Sequence, residues 1–62
     1  MENDAINRIR IEAFKKHGGV IRIIRLRTSD NGMRYYVCQV KNGQIIDVIA
    51  GGTEERHILA QL

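Results

Sequence analysis

Proline and tryptophan are missing from this chain, cysteine occurs once, and the aromatic side chains are only Phe14, Tyr35 and Tyr36. Each scarcity removes a class of protein. With Cys38 alone, no disulfide can close within the chain. A structural zinc site normally takes four Cys or His ligands at close paired spacing. Only Cys38, His17 and His57 are on offer, far apart in sequence, so neither a metal nor a cofactor is expected. Long apolar runs are also absent. The longest mainly apolar stretch, Val20 to Leu26, is broken by Arg22 and Arg25. A membrane helix needs roughly 18 apolar residues in succession, so no membrane association is expected. The start, Met1-Glu2-Asn3-Asp4, is acidic and polar, unlike a secretory signal. With one free cysteine, that points to a cytoplasmic protein. No proline, linker, low-complexity segment or internal repeat divides the chain, so residues 1–62 read as a single domain.

What is present is the composition of a folded domain. Apolar residues make up 44% and charged residues 27%, too apolar for a disordered chain. A chain this short buries only about 60% of the surface its unfolded form exposes. Small domains of this kind lean on a disulfide, a metal or a second copy. Here only the second copy, a homodimer or larger assembly, is left open. The net charge is +3, unevenly spread. Residues 8–41 carry nine bases and two acids, whereas residues 42–62 carry Asp47, Glu54 and Glu55 against Arg56.

The periodicities give an α+β chain in the order α-β-β-β-α. The first helix is expected over Asp4 to Lys16, with Asn3 as its N-cap and Asp4 near the positive end of its dipole. At 100° per residue, Ala5, Ile6, Ile9, Ala13 and Phe14 share one half of that helix. Ile11 is a misfit on the charged half, where Glu12 and Lys16 stand in the favoured i,i+4 order. His17-Gly18-Gly19 supplies the stop, and a histidine there suits the negative end of the dipole. Val20 to Arg27 reads as a strand whose alternation slips between Ile23 and Ile24. A β-bulge there would turn Ile21, Ile24 and Leu26 inward and Arg22, Arg25 and Arg27 outward. Thr28 to Gly32 is a turn. Met33 to Lys41 is the second strand, and Asn42-Gly43 marks a tight type I′ hairpin into the third, Gln44 to Ala50. After Gly51-Gly52, Thr53 is expected to cap a short closing helix with Glu54 and Glu55 in its first turn. Ile58, Leu59 and Leu62 share its apolar face. The sheet is thus a three-stranded antiparallel meander flanked by an N-terminal helix and a short C-terminal helix.

The second and third strands carry apolar residues on both faces. Tyr36, Cys38 and Val40 oppose Met33, Tyr35 and Val37; Ile46, Val48 and Ala50 oppose Ile45 and Ile49. A sheet with one wet face alternates more cleanly. Either a helix covers each face, or strand bends re-sort the faces, or one face meets another chain.

No constellation points to an enzyme. Cys38 with His17 or His57 and Asp47 is a list of types without a spacing, and a mid-strand cysteine behaves as a small hydrophobe. Glu54 and Glu55 are adjacent, so on a helix they diverge by about 100° and form no acid/base pair. Gly51-Gly52-Thr53 ahead of a helix has the outline of an anion site. It lacks phosphate-loop spacing, and it is followed by two carboxylates.

The basic strands carry the strongest signal. Arg22, Arg25, Arg27 and Arg34 lie on neighbouring strands, with Tyr35 or Tyr36 beside them. Arginine offers forked donors for phosphate and guanine edges, and tyrosine a platform for unpaired bases. Lys15, Lys16 and Lys41 add general attraction. The α-β-β-β-α order resembles double-stranded-RNA-binding domains, although Thr53-Glu54-Glu55-Arg56 stands where that family has phosphate-gripping lysines. HicA-type toxins are similar in size and order, but residues 20–50 hold no histidine for their RNA cleavage. From Gly32 to Leu62 the layout is similar to AP2-type and integrase arm-binding domains. There Arg34-Tyr35-Tyr36-Val37-Cys38, the Lys41-Asn42-Gly43 turn and a closing helix match a meander that reads DNA.

The leading expectation is therefore a small non-enzymatic module. It would bind nucleic acid through Arg22, Arg25, Arg27, Arg34 and Lys41, with Tyr35 stacking. The alternative is a protein-interaction module, such as an inhibitor, adaptor or antitoxin-like regulator of the kind phages or plasmids carry. That module would use an apolar sheet face containing Val37, Ile45 and Ile49. Arginine and tyrosine are favoured in both kinds of interface.

Overall fold

The computed structural model describes residues 1–62. It contains α1 (Asn3–His17), β1 (Val20–Arg27), β2 (Met33–Lys41), β3 (Gln44–Gly52) and α2 (Glu55–Gln61), the order expected. The three strands form one antiparallel sheet in the order β1-β2-β3.

Helix α1 buries Ala5, Ile6, Ile9 and Ala13, the stripe its periodicity predicts. Phe14 does not join them and is 58% exposed. It lies about 140° round the helix from Ile9, beyond the edge of the inward face. The helix also starts earlier than its sequence signal. Glu2, in extended conformation, is the N-cap and makes no side-chain capping bond. Asn3 is the first helical residue, and Ile6 N–H donates to the Glu2 carbonyl at 3.2 Å. Lys15, not Lys16, pairs with Glu12, at 3.6 Å.

The stop works as expected. Gly18 takes φ 71° and ψ −174° and its N–H donates to the Phe14 carbonyl at 2.8 Å. That combination is essentially reserved for glycine. The Gln39 amide covers the C-terminal end of α1, donating to the His17 and Gly18 carbonyls at 3.3 and 3.4 Å.

Asn42 and Gly43 have φ 53° and 78°. Both central residues of a type I′ hairpin need such values, so β2 and β3 are joined as the dipeptide predicts. Asn31, at φ 65°, closes the other turn.

The register corrects the reading of the first strand. β1 pairs with β2 without interruption from Val20 opposite Val40 to Arg27 opposite Met33. There is no bulge at Ile23 and Ile24. The pleat alternates strictly, so Ile21, Ile23, Arg25 and Arg27 share one face, and Val20, Arg22, Ile24 and Leu26 share the other. The irregularities lie in β3, where the pairing shifts between Val37 and Cys38 and again between Gln39 and Val40. Ile49 and Ile46 are the extra residues. These two shifts re-sort β3. Ala50 faces the way of Val37, whereas Val48 follows Cys38 and Ile45 follows Val40. The simple alternation expected for this strand does not hold.

Both helices pack on the same face of the sheet. The core joins Ile6, Ile9 and Ala13 of α1 and Ile58 of α2 to Tyr35, Val37 and Ala50. Fully burying side chains such as Ile9, Val37 and Ile58 stabilises a fold by about 1.5–3 kcal/mol each. α2 approaches β3 closely, since a Cβ on Gly52 would lie 3.4 Å from Ile58 Cγ1. Its N-cap is Glu54, without a side-chain bond; Thr53 lies before the helix and does not cap it. Arg8 of α1 grips Glu55 of α2 with two bonds, Nε to Oε2 at 2.6 Å and Nη2 to Oε1 at 2.8 Å. His17 Nε2 lies 3.3 Å from the Leu62 carbonyl oxygen.

Candidate docking face of the sheet

With α1 and α2 on one side, the other side of the sheet is left bare. Cross-strand pairs define its rows: Val20 with Val40 and Ile45, Arg22 with Cys38 and Val48, Ile24 with Tyr36 and Gly51, Leu26 with Arg34. Val20, Leu26, Ile45 and Val48 are 43–63% exposed. Ile24, Tyr36 and Val40 are half-buried by their neighbours. The strands are about 4.8 Å apart and rise about 3.3 Å per residue, giving a face of roughly 14 by 26 Å.

Two cations stand on this apolar ground. Arg22 and Arg34 are exposed, and Arg34 Cζ lies 5.6 Å from the centre of the Tyr36 ring. That is cation–π distance, and it sets the guanidinium over an aromatic surface. No carboxylate shares the face: Asp47, the acid of β3, pairs with Gln39 and so faces the other way. Cys38 forms the floor and is fully buried. Burial pushes its thiol pKa up, against a smaller opposite pull from Arg22. The thiol is thus held protonated at neutral pH, the state of an inert core cysteine.

The residues singled out from sequence are divided by this geometry. Of the four arginines, only Arg22 and Arg34 share the bare face; Arg25 and Arg27 are on the helix side. Lys41 is exposed beside the hairpin, on the helix side and opposite Gln44. Tyr35 is 4% exposed, and its hydroxyl accepts a bond from the Met1 amino nitrogen at 2.7 Å. It cannot stack a base; Tyr36 is the aromatic ring on the bare face. Val37 is fully buried under the helices and cannot touch a partner. Ile49 packs against the core from its bulge. Ile45 alone of that trio stays on the bare face, 43% exposed.

Sequence reasoning missed Val20, Ile24, Leu26 and Val48. The signal was available: reading β1 with no bulge places the first three in one row with Arg22.

No helix is long and apolar enough to cross a membrane. No three His, Cys, Asp or Glu side chains gather where they could hold a metal ion. No protein-family model, no curated protein and no solved structure matches the chain.

Proposed function

We propose that this chain is a protein-interaction module that docks through its bare sheet face onto an apolar, acidic surface of another protein. One observation carries the reading: a continuous aliphatic face with two arginines and no carboxylate, left uncovered because both helices pack on the opposite side. Scattered apolar residues on a surface are ordinary, but a contiguous apolar patch rimmed by polar groups marks an interaction site. Tyr36 and Arg34, in cation–π contact toward one end of the face, are residue types that dominate binding energy in such patches.

The absence of carboxylates on the face shapes the partner. A second copy laid face to face would bring four arginines together with none to pair them, and unpaired charge in a desolvated interface is costly. A partner carrying carboxylates removes that cost. Nucleic acid fits this face less well, because Arg25, Arg27 and Lys41 point elsewhere and Tyr36 is its one aromatic ring.

The test is photo-cross-linking. A photoreactive residue in place of Val48 is expected to capture one protein with an acidic, apolar surface, and the same residue in place of Lys16 is not. Equal capture from both positions, or capture from position 16 alone, would refute docking by this face.

A further inference from the structure

A second surface, on the helix side of the sheet, is built from different chemistry. Along the seam between α1 and β1, a cleft of about 340 Å³ is lined by Asn3, Ile6, Asn7 and Arg10 of α1 and by Ile23 and Arg25 of β1. Next to it lies an apolar cleft of about 490 Å³ lined by Arg10, Ile11, Phe14, Lys15 and Ile21. Arg10 borders both, so a cationic cleft and an apolar cleft with an aromatic ring adjoin at its side chain and are together called the groove. No carboxylate lines either half.

The two guanidiniums of this groove, Arg10 and Arg25, stand in no ion pair, whereas Lys15 at its apolar end is paired with Glu12. The ion pairs of the molecule involve Arg8, Lys15 and Arg56, and neither Arg10 nor Arg25 belongs to one. Arg10 Nη1 donates to Asn7 Oδ1 at 2.6 Å. That bond holds the guanidinium in place and leaves the Asn7 amide N–H groups to donate. Arg25 makes no side-chain bond to any carboxylate, although it stands beside the buried Ile6 and the half-buried Ile23. Two guanidiniums and amide donors above an apolar floor suit an oxyanion, and arginine forks match phosphate in particular. Phe14, 58% exposed at the other end, is the one aromatic ring of α1 and contributes nothing to the core. From Arg10 to Phe14 the helix rises about 6 Å, a span a nucleotide can bridge.

We propose that this groove binds a nucleotide unit, its phosphate held by Arg10, Arg25 and Asn7 and its base stacked on Phe14. The unit comes either from a free nucleotide or from a single strand, whose bases are open to stacking. The site is separate from the bare sheet face and does not depend on the docking proposed there.

The test is a binding titration of the full chain with three probes: orthophosphate, AMP and a short mixed-sequence single strand carrying a fluorophore. Each is measured at two salt concentrations. Arg25→Gln is expected to weaken strand binding about 10-fold and to lower its salt slope by about 1. Phe14→Ser is expected to weaken it about 5-fold or more with the slope unchanged. Both positions are exposed, and equal melting temperatures confirm that the variants fold. AMP binding with the same dependence supports the site and identifies free nucleotide as a source; strand binding without AMP binding supports it with the strand as the source. Val48→Glu, on the other side of the sheet, is expected to leave all three titrations unchanged. The proposal is overturned by no binding of AMP or strand at low salt, by binding indifferent to both groove variants, or by orthophosphate binding as tightly as AMP. A duplex of the same sequence, added as a fourth probe and bound as tightly as the single strand, would also overturn it, since its bases are stacked away from Phe14.

Discussion

Tyr36 lies across Gly51: a Cβ added at position 51 would come within 2.9 Å of the ring's Cδ1 and 3.1 Å of its Cε1. The two residues are cross-strand partners. The missing side chain lets the ring lie against the sheet, and the ring in turn supports Arg34 at 5.6 Å. This flat part of the bare face therefore depends on a glycine that belongs to the neighbouring strand.

Gly51→Ala is expected to push the Tyr36 ring off the sheet and away from Arg34. Because a half-buried ring can swing outward, the stability cost falls at the low end for overpacking, about 1 kcal/mol. Urea unfolding measures the cost, and NMR shifts of the Tyr36 ring and the Arg34 side chain report the displacement. An unmoved ring would show that the contact does not shape the face.

The two faces of the sheet differ in what they contribute to stability. Ile58→Ala removes a fully buried side chain and is expected to cost about 2–5 kcal/mol. A domain of this size has about 3–9 kcal/mol in total, so much of the population unfolds. Val48→Ser, on the bare face, is expected to change stability by no more than about 0.5 kcal/mol. Chemical denaturation of the two variants distinguishes core from open face; a large loss at position 48 would mean that the face is covered.

Acid should loosen the tie between the helices. The guanidinium of Arg8, bonded to Glu55, holds the Glu55 carboxyl below the usual glutamate range, with a smaller opposing push from desolvation. Glu55 is therefore a weaker base folded than unfolded. The stability it contributes is present above its unfolded pKa of about 4.3 and is lost as pH falls through the lower folded value. In thermal melts taken at successively lower pH from about 6, Glu55→Gln should lower the melting temperature at the upper end, and the difference should shrink as the pH falls below the unfolded value. A constant difference across the range would exclude ionisation of Glu55 as the cause.

The outer edge of β3 is blocked at one point by a side chain. Gln61 Nε2 donates to the Gly51 carbonyl at 2.7 Å while Gly51 N–H donates to Gln61 Oε1 at 3.0 Å. The amide thus takes the place of a fourth strand at a sheet edge, where unpaired backbone invites association. Gln61→Ala is expected to cost about 1–3 kcal/mol for the two bonds and to raise concentration-dependent self-association. Sedimentation velocity at rising concentration checks it, and a strictly monomeric variant would deny the amide this blocking role.

How much of this was legible in the sequence depends on the kind of signal. Asn42-Gly43 specified its hairpin because a positive φ at both positions admits few residues. Gly18 ended α1 for a similar reason, and the helical spacing marked Ala5, Ile6, Ile9 and Ala13 as inward but wrongly added Phe14 at the margin of the stripe. The faces of β1 were not legible. Ile23 and Ile24 are both apolar, so the strand's own pattern fits a bulge as well as a straight pleat, and only its pairing with Val37 and Tyr36 decides. Tyr35 and Tyr36 are chemically equivalent neighbours on opposite faces, and strand parity cannot say which face the helices cover. That is settled only by the packing of Ile6, Ile9, Ala13 and Ile58 on Tyr35, Val37 and Ala50, contacts between residues far apart in sequence. The division of the arginines between the two surfaces follows from it.

The most direct measurement of the central claim is the affinity of the protein captured from position 48 for three variants: Val48→Glu, Arg34→Glu and Arg25→Glu. Docking through the bare face predicts that the first two weaken binding about 30-fold or more, as hot-spot residues do. Arg25→Glu, on the helix side, should bind as the unaltered chain does. A loss confined to Arg25→Glu, with Val48→Glu and Arg34→Glu still bound, would contradict the claim and move the interface to the opposite side of the sheet.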